Sequence, residues 1–200
     1  MINARIRAGW DRVMRPVGQV FGKTRIHPNA ITVIGLLVQI TVAWLIVDGR
    51  LLAAGLVATL AGLVDTLDGA VAKARGMTSR FGAFLDSSTD RASDALIFLP
   101  IAWLYGVDPD IAERGDEWVA LLAMGTLVFS FMVSYVKARA EGLGFDCNVG
   151  IAERAERLIL VIAGLILDLV PLMLGILLAL SIVTLVQRMV HVYRQSRSAP

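Results

Sequence analysis

Four aspartates fall in two pairs, Asp65 with Asp68 and Asp86 with Asp90, spaced i,i+3 and i,i+4. On a helix either spacing puts both side chains on one face. Each pair adjoins a long apolar run, where a carboxylate is costly unless it serves a site. Like charges gathered there need a cation to hold them together. The stretch from Asp65 to Asp94 contains no His or Cys, so the donors are hard oxygens that select Mg²⁺ or Mn²⁺, with Ca²⁺ as the alternative, over zinc or copper. Two such ions could share bridging carboxylates and bind a pyrophosphate between them. Gly69, Ala72 and Gly82 let a ligand approach the helix backbone closely, and Lys73, Arg75 and Arg80 supply positive charge beside it. This chemistry suits a phosphate-bearing substrate at a lipid surface. A single Asp at a helix end is ordinarily just solvated, and Asp94 with Arg91 reads as a structural ion pair. Four aspartates interleaved with three small residues are harder to explain that way.

The elements that must hold these residues are membrane helices. The chain has 200 residues, 56% hydrophobic and 18% charged, with a mean hydropathy of +0.70; soluble domains carry about 25% charged residues. The fold class expected is an all-α integral membrane protein, one domain over residues 1–200. It is a six-transmembrane-helix bundle with spans near 30–48, 51–68, 82–107, 117–139, 154–169 and 170–190. An amphipathic interfacial helix over 2–22 precedes them, with Ile6, Trp10, Val13, Val17 and Phe21 on one side and Arg5, Arg7, Arg12 and Arg15 on the other. Residues 69–81 read as a basic loop or broken helix, 108–117 as a polar loop, and Pro100 as a bend in the third span. Cys147 is the only cysteine, a loop residue that can form no intrachain disulfide. The basic N-terminal segment lacks the apolar core of a secretory signal.

With six spans, six Lys/Arg residues precede span one, three lie in the 69–81 loop, four at 137–157 and three in the tail, sixteen on one side. Only Arg50 and Arg114 fall on the other side, and Arg91 lies inside span three. The positive-inside rule therefore predicts a multi-pass protein of the cell (plasma) membrane with both termini cytoplasmic. All four aspartates then lie near the cytoplasmic surface. A cation or proton transporter is the rival from another class, since carboxylates in spans can form an ion path. Transporters often carry inverted repeats and mid-membrane sites, whereas this sequence has no repeat and gathers its carboxylates at one surface.

The same stretch resembles the signature of the CDP-alcohol phosphotransferase family, Asp-x2-Asp-Gly-x2-Ala-Arg-x8-Gly-x3-Asp-x3-Asp. Asp65, Asp68, Gly69, Ala72, Gly82, Asp86 and Asp90 match it in register, and Lys73 stands where the family has Arg. Lys keeps the charge and loses the bidentate fork. The resemblance implies transfer of a substituted phosphate from a CDP-linked lipid to an alcohol, with release of CMP. It implies that Asp65, Asp68, Asp86 and Asp90 ligate two divalent ions, Mg²⁺ or Mn²⁺, and that Asp90 is also the general base for the acceptor hydroxyl. Gly69, Ala72, Lys73 and Gly82 would contact the CDP group, joined by Pro28, Asn29 and Thr32 at the start of span one. The family also implies a homodimer within the membrane lipids, and no nucleic-acid partner is expected.

The segments Ser134–Glu141, Glu153–Arg157 and Val186–Arg188 resemble those of the phosphatidylinositol phosphate synthases within that family, with Ala155 where the subfamily carries Pro. That likeness implies that Lys137, Arg154, Arg157 and Arg188 bind the phosphate of the acceptor. A dianionic acceptor needs such a cluster and a neutral one does not; the plainer reading, membrane-surface anchoring by positive-inside residues, is kept for Arg139. The expected reaction joins CDP-diacylglycerol to a phosphorylated polyol, first inositol 1-phosphate, next glycerol 3-phosphate, with serine or free inositol third.

Overall fold

The computed structural model describes the backbone of residues 28–75, 79–151 and 154–198, and the side chains of 33–63, 79–111, 113–151 and 156–197. The described residues are helical, without a strand: α1 (Pro28–Val47), α2 (Leu51–Arg75), α3 (Arg80–Val107), α4 (Pro109–Glu113), α5 (Trp118–Gly142), α6 (Arg154–Ile166) and α7 (Val170–Ser198). The interfacial helix expected over 2–22 lies outside the described residues.

Local chemistry explains most of the boundaries. Pro28 opens α1, where its missing N–H leaves no helical bond unmade. Gly49 ends it in the left-handed region, φ +72. There Arg50 N–H donates to Leu45 O at 2.9 Å and Gly49 N–H to Ile46 O at 3.0 Å, so the last carbonyls are capped. Asp168 does the same work after α6 without being glycine, at φ 53, with Leu169 N–H reaching back to Gly164 O at 2.9 Å; a short polar side chain tolerates that conformation. The sequence ends the second span at Asp68 and breaks the helix over 69–81. Instead α2 continues to Arg75, because the Ala-rich stretch after Gly69 favours helix strongly enough to carry the chain past it. Arg80 likewise belongs to a helix, in the first turn of α3, where Ser79 Oγ accepts from Gly82 N–H at 2.9 Å. The polar 108–117 segment contains α4, started by Asp108 Oδ1 accepting from the N–H groups of Asp110 and Ile111 at 2.9 and 3.2 Å.

The six long helices close into a ring in which α1 lies between α2 and α3, α5 between α3 and α7, and α6 between α7 and α2. An apolar core fills one end: Val42 and Ile46 of α1, Ala54 and Ala58 of α2, Ile101 and Leu104 of α3, Val119 and Ala123 of α5, Leu165 of α6 and Leu174 of α7. Glycines permit the closest approaches there. A Cβ on Gly55 would sit 2.6 Å from Ile166 Cγ1, and one on Gly164 2.5 Å from Met173 Cβ. The outside of the ring is apolar too, with Leu56, Leu60, Trp103, Leu121, Val128 and Leu172 all exposed. Two described helices, α5 and α7, are long and apolar enough to cross a membrane by length and composition.

Candidate active site

The acidic face of α3 lies at the opposite end from the apolar core. Asp86, Asp90 and Asp94 recur every four residues, so one face of α3 carries three carboxylates in line. Asp86 is exposed, whereas the side chains of Asp90 and Asp94 are only 13% and 18% exposed. Arg91 bridges the two inner ones, with Nη2 3.9 Å from Asp90 Oδ2 and Nε 3.7 Å from Asp94 Oδ2. The Arg91–Asp94 pair expected from the sequence is present. It is only half of what Asp94 does.

Asp94 also reaches across the bundle. Its Oδ2 accepts from Ser130 Oγ–H of α5 at 2.6 Å and lies 3.5 Å from Arg157 Nη2 of α6. Arg157 Nη1 donates to the same Ser130 Oγ. Three helices thus converge on one carboxylate, and Arg157 is 12% exposed there. Neither Asp94's reach across the bundle nor Ser130 was singled out by the sequence. The available signal was the i,i+4 register, which Asp94 continues from Asp86 and Asp90.

The basic residues line up along α5. Ser130, Val133 and Lys137 share one face, spaced i, i+3 and i+7. Arg157 docks at Ser130, and Arg188 of α7 docks at the Val133 carbonyl through Nη1. Lys137 follows, its Nζ 3.7 Å from Glu141 Oε1. Arg157, Arg188 and Lys137 therefore form a ladder about 10 Å long. Arg188 is 8% exposed and also donates from Nε to Val149 O at 3.0 Å, which ties the 143–151 segment to α7. Gln195 fastens the same segment by pairing with the backbone N–H and carbonyl of Asp146. Behind Asp94 and Arg157 lies a cavity of about 60 Å³, with Gln39, Ser93 and Ser181 on its wall.

Of the remaining expected site residues, Gly82 lies in the first turn of α3, its N–H held by Ser79. Asp65, Asp68, Gly69, Ala72 and Lys73 fall within α2, with Asp65 and Asp68 a turn apart. Pro28, Asn29 and Thr32 fall in the first turns of α1, and Arg154 opens α6. The side chains of these nine lie outside the described residues.

The donor set fits a hard divalent ion: α3 presents two carboxylates one turn apart, and among the described residues no thiol or imidazole accompanies them on this helix.

Comparisons with known proteins identify the family. Residues 25–187 match the family model described as CDP-alcohol phosphatidyltransferase. The archaetidylinositol phosphate synthase of Methanothermobacter thermautotrophicus is 34% identical over 189 residues, 92% of this chain and 91% of the relative. The phosphatidylinositol phosphate synthase of Cutibacterium acnes is 34% identical over 207 residues, 96% of this chain and 98% of the relative. The crystal structure of Mycobacterium tuberculosis phosphatidylinositol phosphate synthase with CDP-DAG bound superposes with a TM-score of 0.80 at 31% identity, covering 91% of this chain and 94% of that one. A second structure of that enzyme, in complex with manganese and citrate, gives 0.79 at 31% identity over 90% of this chain and 88% of that one.

Proposed function

The chain belongs to the CDP-alcohol phosphatidyltransferase family, and from that premise we propose that it transfers a phosphatidyl group from CDP-diacylglycerol to inositol 1-phosphate, releasing CMP. The observation that carries the choice of acceptor is the ladder of Arg157, Arg188 and Lys137 along α5, joined to the carboxylate face of α3 through Asp94. A neutral alcohol has no use for three cations beside the general base. A phosphate dianion does. The relatives named above as inositol phosphate synthases favour the same acceptor.

In the reaction proposed, Asp65, Asp68, Asp86 and Asp90 hold two divalent ions, Mg²⁺ or Mn²⁺; manganese accompanies the mycobacterial relative. When bound, such ions neutralise a pyrophosphate and stabilise charge on the departing nucleotide. Asp90 takes the proton of the acceptor hydroxyl as that oxygen attacks the phosphorus carrying diacylglycerol. The bond from that phosphorus to the CMP oxygen breaks, and CMP leaves. Asp90 is largely screened from water, with the Arg91 guanidinium 3.9 Å from its Oδ2. Lys137, Arg154, Arg157 and Arg188 orient the acceptor by its phosphate. Pro28, Asn29, Thr32, Gly69, Ala72, Lys73 and Gly82 receive the CDP group.

The membrane arrangement proposed is six spans (α1, α2, α3, α5, α6 and α7) in one domain over residues 1–200, preceded by the interfacial helix at 2–22. Exposed aromatic residues support it. Trp44, Trp103 and Trp118 lie at one end of the bundle, and Phe84, Tyr135 and Tyr193 at the other. Along α5 and α3 the two sets are separated by about 26–29 Å at 1.5 Å per residue, close to the hydrocarbon thickness that interfacial aromatics bracket. Both termini then lie in the cytoplasm, the membrane is the plasma membrane, and the protein works as a homodimer.

The test is CMP release by purified protein from CDP-diacylglycerol against inositol 1-phosphate, glycerol 3-phosphate, free inositol and serine. Inositol 1-phosphate is expected to be the best acceptor. Turnover with free inositol alone would overturn the choice, and preference for glycerol 3-phosphate would move it to the runner-up.

A further inference from the structure

We infer that Asp94 is a positioning residue for the acceptor: it fixes the guanidinium of Arg157 in place, with Ser130 as the third member of the link. The inference rests on the acceptor reading above and adds two residues to it.

An arginine inside a lipid-embedded bundle needs a partner that satisfies it. It also has several rotatable bonds, so a charge that must meet a phosphate in one orientation has to be held. Asp94 supplies both. Its Oδ2 lies 3.5 Å from Arg157 Nη2 and accepts from Ser130 Oγ at 2.6 Å, while Ser130 Oγ accepts from Arg157 Nη1. The guanidinium is thus held along its Nη1/Nη2 side by two groups from two other helices. Asp94 stands one helical turn beyond Asp90 on the same face of α3. The backbone that carries the general base therefore also carries the group that orients the acceptor's phosphate contact. A shift of α3 moves both together, which keeps the hydroxyl and the phosphate in register. Arg91 adds rigidity by contacting Asp90 and Asp94 at once.

A purely structural ion pair would look similar in coordinates, so the test must separate the two. Steady-state kinetics of the full-length protein with CDP-diacylglycerol and inositol 1-phosphate are measured for wild type, Asp94→Asn, Ser130→Ala, Ser130→Thr, Arg157→Ala and the double variant Asp94→Asn/Arg157→Ala. Asp94→Asn is expected to raise KM for the acceptor about tenfold and leave KM for CDP-diacylglycerol within about twofold. Ser130→Ala does the same to a smaller degree, and Ser130→Thr, which restores the hydroxyl, reverses it. In the Arg157→Ala background the Asp94 substitution should add nothing, because its effect passes through Arg157. A parallel rise in both KM values, a fall in kcat alone, or additive effects in the double variant would overturn the inference. If Asp94→Asn does not fold, the Ser130 pair decides: an acceptor KM unchanged by Ser130→Ala counts against it. Wild-type protein that turns over no polyol phosphate removes the acceptor reading and this inference with it. Wild-type turnover with an unchanged acceptor KM in both single variants removes this inference alone.

Discussion

Around Trp44, Trp103 and Trp118 the ring of helices is closed by Val42, Ile46, Ile101, Val119, Leu165 and Leu174, all buried against one another. Toward the other end Asp90, Asp94, Ser130, Arg157 and Arg188 lie on α3, α5, α6 and α7, with a cavity between the two regions. In lipid an apolar side chain gains little by leaving its surroundings, so the first region is stabilised by fit rather than by hydrophobic transfer. In the second region directional charge–charge and hydrogen-bonded links join the described residues. The difference teaches that one end fixes the relative positions of the helices and leaves the other end able to carry chemistry. Substitutions should sort accordingly: rate changes from the polar end, stability changes from the apolar end.

The largest expected effect comes from removing the metal. A chelator should reduce CMP release to background, and added Mn²⁺ or Mg²⁺ should restore it. Activity that survives exhaustive chelation would remove the reason for gathering carboxylates on α2 and α3. Next is Asp90→Asn, which deletes the proposed base while keeping the shape. Loss of a general base lowers rate by about 10²–10⁴-fold, and the thermal midpoint in detergent should stay near wild type. Near-normal turnover in this variant would contradict the assignment and break the comparison at its polar end.

The carboxylate pairs, the small residues between them and the charge imbalance were all legible in the sequence, because their spacing and counts do not depend on tertiary structure. So were the helices, since long apolar runs leave little choice of conformation. Two local signals were present and not used. Asp108-Pro109 is a helix start, and it begins α4. The Ala-rich run after Gly69 is helix-forming, and α2 continues through it. The link from Asp94 to Ser130 and Arg157 was not legible. It joins positions 36 and 27 residues apart and depends on how α3, α5 and α6 are rotated about their own axes. Hydropathy says that a helix crosses; it does not say which way each face points. The order of the ring is hidden for the same reason.

At the apolar end the sharpest test is Gly164→Ala. The new methyl would lie 2.5 Å from Met173 Cβ, an atom fixed to the α7 backbone, so the helices must separate. Overpacking of this kind costs about 1–3 kcal/mol, read as a lower thermal midpoint, and KM for both substrates should stay near wild type. A change in acceptor KM without a change in midpoint would show that the two ends are not separable.

The smallest expected effect concerns the loop that joins α5 to α6. Cys147 is fully buried there, and burial pushes its thiol pKa above the ordinary value, with the nearby Arg188 cation pulling the other way. A raised pKa leaves less reactive thiolate at any given pH, so a maleimide should label the native protein slowly and faster as the pH rises. Arg188 holds this loop through Val149 O and α5 through Val133 O. Arg188→Lys removes the planar fork that makes both bonds while keeping the charge. It should therefore open the loop more often and speed labelling a few-fold. The acceptor KM is the second readout. If Arg188 serves only the loop, labelling speeds up and KM stays put; if it also grips the acceptor phosphate, both move. A labelling rate that does not change would show that the loop is held by Gln195 and Asp146 rather than by Arg188, and Arg188 would then belong to the phosphate ladder alone.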